Sequence, residues 1–308
     1  MFNPFAQIQM IKAEVFTRMP DKFRKRGRTK WSDPNRQLAE VDNFLEGPSF
    51  DRQGNLYVTD IPFGRIFKIT PDGEWEIAAE YDGWPNGLKF HKDGRAFVAC
   101  YKQGLMLFDK DKGTVEPYIE TMYSERFKGL NDLHFTSNGD LYFTDQGQTG
   151  VADPTGRVFK LSAEGNLTRI LTNVPSPNGI TLNTKETQIY VAVTRQQQIW
   201  RLPIMHDGSV SKTGVAIQLS GGHAGPDGIE QDAQDGIYVC HLGLGIWRFD
   251  NNSLPTHLIY VDPGEHALMT NIAFGGPDRK TMYITDSQNG RIMRAEAPVP
   301  GKLLYGLS

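Results

Sequence analysis

Short apolar runs separated by turns recur along this chain. Leu56-Tyr57-Val58-Thr59-Asp60, Leu141-Tyr142-Phe143-Thr144-Asp145 and Met282-Tyr283-Ile284-Thr285-Asp286 are near copies. Ala96-Phe97-Val98-Ala99-Cys100, Ile189-Tyr190-Val191-Ala192-Val193 and Ile237-Tyr238-Val239-Cys240-His241 are weaker versions, which makes six. After each comes a second run, such as Gly64-Arg65-Ile66-Phe67-Lys68-Ile69 or Gly156-Arg157-Val158-Phe159-Lys160-Leu161. Before each comes a turn such as Asp51-Arg52-Gln53-Gly54 or Thr136-Ser137-Asn138-Gly139, and ahead of the turn another short apolar run. The runs alternate or are continuously apolar, and they are rich in β-branched and aromatic residues, as strands are. A fourth run follows in most repeats, for example over 167–171 and 258–261. Four antiparallel strands repeated six times, with a period of about 45 residues, predict an all-β fold, a six-bladed β-propeller.

The ring implies one domain over 1–308, with an N-terminal extension over 1–44. The blades fall at about 45–84, 85–128, 129–175, 176–224, 225–268 and 269–298. The sixth repeat is short, and Pro298 and Pro300 suit a central strand poorly. Residues 12–16, Lys-Ala-Glu-Val-Phe, are strand-like and belong to no blade. They are expected to supply the outer strand of the last blade and so close the ring, which removes a free sheet edge.

Aligning the repeats puts one polar residue at the start of every innermost strand. These are Glu46, Asn86, Asn131, Asn178, Asp227 and Asn271. Four of the six are followed by Gly, which permits close backbone approach where strands crowd an axis. The hairpin turns lie at the far end of those strands, hence at the opposite mouth. Carboxylates held close repel each other unless a cation sits between them. Oxygen donors without Cys or His suit a hard cation, and calcium tolerates an irregular mixture of carboxylates and amides. Mg²⁺, Mn²⁺ and, against the ligand type, Zn²⁺ are the alternatives.

The second strands return to the same mouth and end in an outer ring of Asp60, Cys100, Asp145, Val193, His241 and Asp286. The Thr-Asp endings are expected to tie down loops. His241 is a candidate proton carrier or orienting group. Loops around the ring supply Phe63, Trp84, Tyr101, Met122, Tyr123, Phe127, Gln146 and Arg195. Together with Asn86 and Asn271 they predict an apolar cup over a polar floor, suited to a small, mostly uncharged ligand.

Composition trims this picture. A net charge of −3 predicts no nucleic-acid partner, and the one cationic run, residues 22–30, is expected to be a solvated loop. No window approaches 18 apolar residues, so no membrane partner is expected. The first residues lack the pattern of a signal peptide. With only Cys100 and Cys240, no disulfide framework is expected, and the cytoplasm is the expected location. A monomer or small homo-oligomer is anticipated.

The stretches Leu45-Glu46-Gly47-Pro48, Leu130-Asn131-Asp132, Pro177-Asn178-Gly179-Ile180 and Pro226-Asp227-Gly228-Ile229, at blade spacing over about 12–295, resemble the family of gluconolactonases, senescence marker protein and luciferin-regenerating enzyme. The resemblance implies a divalent metal, usually calcium, on Glu46, Asn178 and Asp227. Asn131 is then a further ligand or a substrate contact. It implies hydrolysis of a lactone, with the metal as Lewis acid and water as nucleophile. Asp227, Asp132 or His241 would move the proton. Gly129 and Leu133 stand where sugar-acid lactonases of the family often carry Arg and Gly, which points away from a sugar-acid substrate. The stretch Leu130–Asp145 with its loop Gln146–Gly156, together with the N-terminal extension before Glu46, looks more like the bacterial drug-responsive calcium lactonases. Organophosphate hydrolysis at the same metal, as in diisopropylfluorophosphatase-type enzymes, and a non-catalytic calcium-binding propeller are the alternatives.

Overall fold

The computed structural model describes residues 7–308. Six four-stranded antiparallel blades stand around a central axis, and in each the first strand of the repeat is the innermost. The first blade runs Leu45–Phe50, Leu56–Asp60, Arg65–Ile69 and Trp75–Glu80. The innermost strand of each blade packs on that of the next, and the sixth packs on the first. The core is a set of clusters on the blade faces and between neighbouring blades. One of them packs Leu133, Phe135 and Phe143 of blade 3 against Phe97 and Leu105 of blade 2. The innermost strands are buried along their whole length, which explains why they read as continuous rather than alternating patterns.

Blade 6 takes three strands from the end of the chain, and Glu14–Arg18 pairs antiparallel with Arg291–Glu296 as its outermost strand. Closure thus uses a segment two residues beyond the expected 12–16. Residues Gln9–Lys12 do something the pattern did not foretell. They run parallel to Pro255–Tyr260 and add a fifth strand to blade 5, covering its edge. Periodicity marks a strand but not its partner. After blade 6 the chain crosses the mouth that holds the hairpin turns. Lys302 Nζ donates to the carbonyls of Leu182 and Asn183, each at 3.2 Å. Tyr305 packs on His91 and Phe135. The tail therefore stops one end of the axis and leaves the other open. No helix among the described residues is long and apolar enough to cross a membrane.

At the open mouth the Thr-Asp endings act as latches. Asp145 accepts the backbone N–H groups of Lys128 and Gly129, both at 2.8 Å, and pairs with Arg157 at 2.6 Å. Asp60 does the same for Phe44 and Arg65, and Asp286 for Leu268 and Arg291. The threonines staple blades together: Thr59 donates to the Asn86 carbonyl and Thr144 to that of Asn178. Burial raises the Asp145 carboxyl despite Arg157. Losing the charge leaves the buried Arg157 guanidinium with only the exposed Glu125 and a backbone carbonyl, so Asp145→Asn is expected to cost about 3 kcal/mol in denaturant unfolding. A loss under 1 kcal/mol would show that the latch is dispensable.

Candidate metal centre

Each of the six innermost strands has a register irregularity where its polar residue sits: between Glu46 and Ser49, Pro85 and Leu88, Leu130 and Leu133, Pro177 and Ile180, Pro226 and Ile229, and Met269 and Asn271. A bulge re-aims a side chain and lifts it out of the regular pleat. Here it turns six side chains toward one axis. The glycines that follow make room. A Cβ on Gly47, whose φ is +55°, would lie 2.2 Å from the Asn86 carbonyl oxygen. One on Gly179 would lie 2.6 Å from the Asp227 carbonyl oxygen. The inner strands can approach this closely only without side chains at these points.

All six ring residues are buried. Asn271 Nδ2 donates to Glu46 Oε2 at 3.0 Å, and the Gly47 N–H donates to the same oxygen at 3.1 Å. Asn131 Nδ2 donates to Gln146 Oε1 at 2.9 Å, and Gln146 in turn donates to Ser176 Oγ at 3.0 Å. With its nitrogen engaged, Asn131 keeps its amide oxygen available. The Asn178 amide beside Asp227 lowers its carboxyl. Burial pushes the Glu46 carboxyl up to about 7, against the hydrogen bonds from Asn271 and Gly47. Burial and the Glu46 charge push Asp227 well above the carboxylate range.

One step below the ring, Asp132 lies against Gly87 and accepts the Leu133 N–H at 2.8 Å. Burial raises it to about 6, and the Lys89 ammonium opposes the rise. Lys89 itself pairs with Glu230 at 3.1 Å. The lower layer thus has a paired cation, whereas no Lys or Arg among the described residues forms an ion pair with Glu46 or Asp227, and Arg195 on the wall acts on Asp227 only through its charge. Among the described residues no three His, Cys, Asp or Glu side chains gather as a metal cluster. The ring is instead two carboxylates supplemented by amide oxygens, a hard donor set that fits calcium better than zinc. Two unneutralised buried carboxylates among amides are what a divalent cation would offset.

Above the ring opens a cavity of about 320 Å³. Glu46, Asn86, Asn131, Asn178 and Asp227 line it, with Tyr101, Gln146 and Arg195. The structure places the other expected wall residues elsewhere. Asn271 stands behind Glu46, to which it donates. Phe127 packs edge-on against Phe143 and Phe159 in the blade 3 core. Phe63 lies over the Arg65 guanidinium, and Trp84 packs behind Tyr101. Met122 belongs to a small hairpin with Glu125–Arg126, and Tyr123 at its tip is 91% exposed. Loop order along the chain does not say which side chains fold inward: Phe127 found core and Tyr123 solvent. His241 is buried and outside the cavity. Its Nε2 engages the Gly221 carbonyl at 3.1 Å, and burial lowers its pKa, so it stays neutral at neutral pH.

The walls include residues that the repeat pattern could not reveal. Trp31, Asn35, Arg36 and Phe44 come from the N-terminal extension, which has no counterpart in the other blades. Trp31 packs on Phe44, with ring centroids 4.8 Å apart. The cationic run before them is held down by ion pairs, Arg24 with Asp42 and Lys25 with Glu80. His223, Leu242, Leu268 and Gln288 complete the wall. Trp31, a large apolar side chain outside any blade, is a sequence signal that could have pointed to a wall there.

Residues 44–288 match the model of the SMP-30/gluconolactonase/LRE-like region. The chain is 31% identical over 244 residues to lactonase drp35 of Staphylococcus aureus, which covers 75% of this chain and 74% of the relative. It superposes on a gluconolactonase from Xanthomonas campestris with a TM-score of 0.73 at 20% identity, covering 83% and 86% of the two chains. For the calcium-binding protein regucalcin from Agrobacterium tumefaciens the TM-score is 0.74 at 21% identity, covering 96% and 97%. The two superpositions establish the propeller fold, and the match over residues 44–288 spans all six ring residues. The chain belongs to the SMP-30/gluconolactonase/LRE-like family.

Proposed function

We propose that this protein is a divalent-metal-dependent hydrolase that opens a lactone ring, with calcium as the preferred ion. The observation that carries the reading is the pair of buried carboxylates, Glu46 and Asp227, set among amide side chains at the floor of an open cup. The lactonase name of the S. aureus relative supports the choice of substrate class. Glu46, Asn131, Asn178 and Asp227 would hold the ion. When bound, it supplies a Lewis acid for the carbonyl and lowers the pKa of water.

The chain's own groups do the rest. Gln146 turns the Asn131 amide, and Asn271 steadies Glu46. Tyr101, Trp31 and Phe44 give the flat apolar wall that a cyclic ester would lie against, and they limit water around it. Of the three candidate proton acceptors, Asp227 alone lines the cavity. Asp132 lies beneath the ring, and the Nε2 of His241 is engaged by a backbone carbonyl. Asp227 therefore takes the proton of the attacking water.

Calcium titration with turnover of a generic aromatic lactone tests the proposal. Hydrolysis is expected to rise from background and saturate with the ion, and chelation to abolish it. Turnover that ignores chelation would overturn it. Cleavage of a fluorophosphate with no cleavage of any lactone would move the reaction to phosphorus at the same floor.

A further inference from the structure

We propose that the cup contains an anion subsite formed by Arg36 and Arg195, so that its substrates are lactones carrying a carboxylate or phosphate substituent away from the ring carbonyl. The inference rests on the lactonase reading for the reacting end of the substrate, and on separate residues for the other end. Both arginines line the cavity whose floor is the polar ring. They arrive from different elements. Arg36 follows the short helix Ser32–Asn35 of the N-terminal extension, and Arg195 sits in the Thr194–Gln196 turn of blade 4. The loop of blade 3 lies between them. Gln148 Nε2 donates to Asn35 Oδ1 at 3.2 Å and to the Tyr101 hydroxyl at 2.8 Å. A Cβ on Gly150 would lie 3.7 Å from Arg195 Cγ.

What sets these two apart is that neither guanidinium is occupied. The arginines behind this mouth, Arg65, Arg157 and Arg291, are each engaged by a buried carboxylate. Among the described residues Arg36 makes no ion pair and lies over the face of Phe44, at 5.8 Å, beside a second cavity lined by Glu40 and Asp42, and Arg195 makes no ion pair. A divalent cation on Glu46 and Asp227 cancels their two charges, and the cup is then left with two positive groups on its wall. A guanidinium offers a planar fork of donors that matches a carboxylate or phosphate edge. Arg195 is also close enough to the floor that its charge lowers the carboxyl of Asp227, against the much larger effect of burial. A wholly uncharged ligand would leave both groups without a partner. The mostly uncharged ligand expected from the sequence omitted Arg36, which belongs to no repeat.

The test uses one aromatic lactone in three forms, bearing a carboxylate, its methyl ester or a phosphate. On the calcium-loaded enzyme the anionic forms are expected to be turned over with higher kcat/KM than the ester. The anion-to-ester ratio is expected to fall about five- to tenfold in Arg36→Gln and in Arg195→Gln, mainly through KM. Arg195→Lys should restore part of it, and salt near 1 M, where charges are screened beyond about 3 Å, should erode it. The form whose ratio responds identifies carboxylate or phosphate as the natural substituent. Preference for the ester, or a ratio unmoved in the double variant, would overturn the subsite.

A second measurement needs no turnover. Calorimetric binding of the corresponding unopened lactams to the calcium-loaded protein should weaken in the double variant for the forms bearing a carboxylate or phosphate more than for the ester. If no lactone is opened but this difference is found, the lactonase reading falls and the subsite stands. If lactones are opened and the difference is absent, the subsite falls alone.

Discussion

Replacing Asp227 by Asn or Glu46 by Gln is expected to lower lactone turnover by about a hundred- to a thousandfold, the usual cost of losing one group that stabilises charge in the transition state. Each change also removes half of the negative charge that offsets a divalent ion, so calcium should no longer raise the melting temperature. The two effects must appear together. A misfolded variant would lose activity too, but it would melt lower in calcium-free buffer. Here the opposite is expected. Burial raises Glu46 to about 7, and burial with the Glu46 charge raises Asp227 well above the ordinary range, so their ionised forms are unfavourable in the metal-free fold. Removing one of them should leave the calcium-free protein at least as stable as before at pH 8. Calorimetry with and without calcium, alongside initial rates, checks both parts. Full activity in either variant would end the metal-hydrolase reading.

Stability in the absence of metal is expected to fall as pH rises. The sign follows from the direction of the shifts. Glu46 titrates near 7 in the fold against an ordinary value of 4.5, and Asp132 near 6 against 3.8. Asp227 moves the same way. Between those limits the folded chain binds more protons than the unfolded chain, so unfolding free energy decreases with pH. The contribution is present below about pH 4 and is lost by about pH 7. Bound calcium removes the reason for the slope, since it favours the ionised carboxylates. At calcium a hundredfold above its dissociation constant, the ion should add about 2.7 kcal/mol. The melting-temperature gap between calcium-loaded and calcium-free protein should therefore be wider at pH 8 than at pH 5. An equal gap at both values would mean that the ring acids do not hold the ion.

Much of the fold could be read in advance because repetition amplifies a weak signal. One Tyr-Val-Thr-Asp run is only a strand candidate, but six at near-equal spacing require six equivalent places. The same argument put Glu46, Asn86, Asn131, Asn178, Asp227 and Asn271 at one level before any geometry was known. The Thr-Asp endings also read correctly as latches, with Asp60, Asp145 and Asp286 each holding loop N–H groups and an arginine. Repetition had nothing to say about parts that occur once. Gln9–Lys12 joins blade 5 in parallel, and the tail around Lys302 and Tyr305 stops the far mouth. Neither segment has an equivalent to align with.

The cup shows the same division. Residues on bulged inner strands are aimed by backbone geometry shared across blades, so their alignment in sequence became their convergence in space. Loop residues are aimed by whatever they can bury against. Phe127 found the Phe143 and Phe159 rings, Tyr123 found solvent, and Trp31 and Arg36 came in from an extension outside the repeat. The amino-acid sequence alone thus determined the propeller, its closure by an N-terminal strand and the six polar side chains on its axis, because each follows from local pattern and period. Tertiary structure alone decided which side chains wall the cup, and that Asn271 supports Glu46 rather than facing the cavity. It also decided that two guanidiniums without an ion pair among the described residues, those of Arg36 and Arg195, line the same cavity. Those outcomes depend on competition among packing partners far apart in the chain, which no local pattern records.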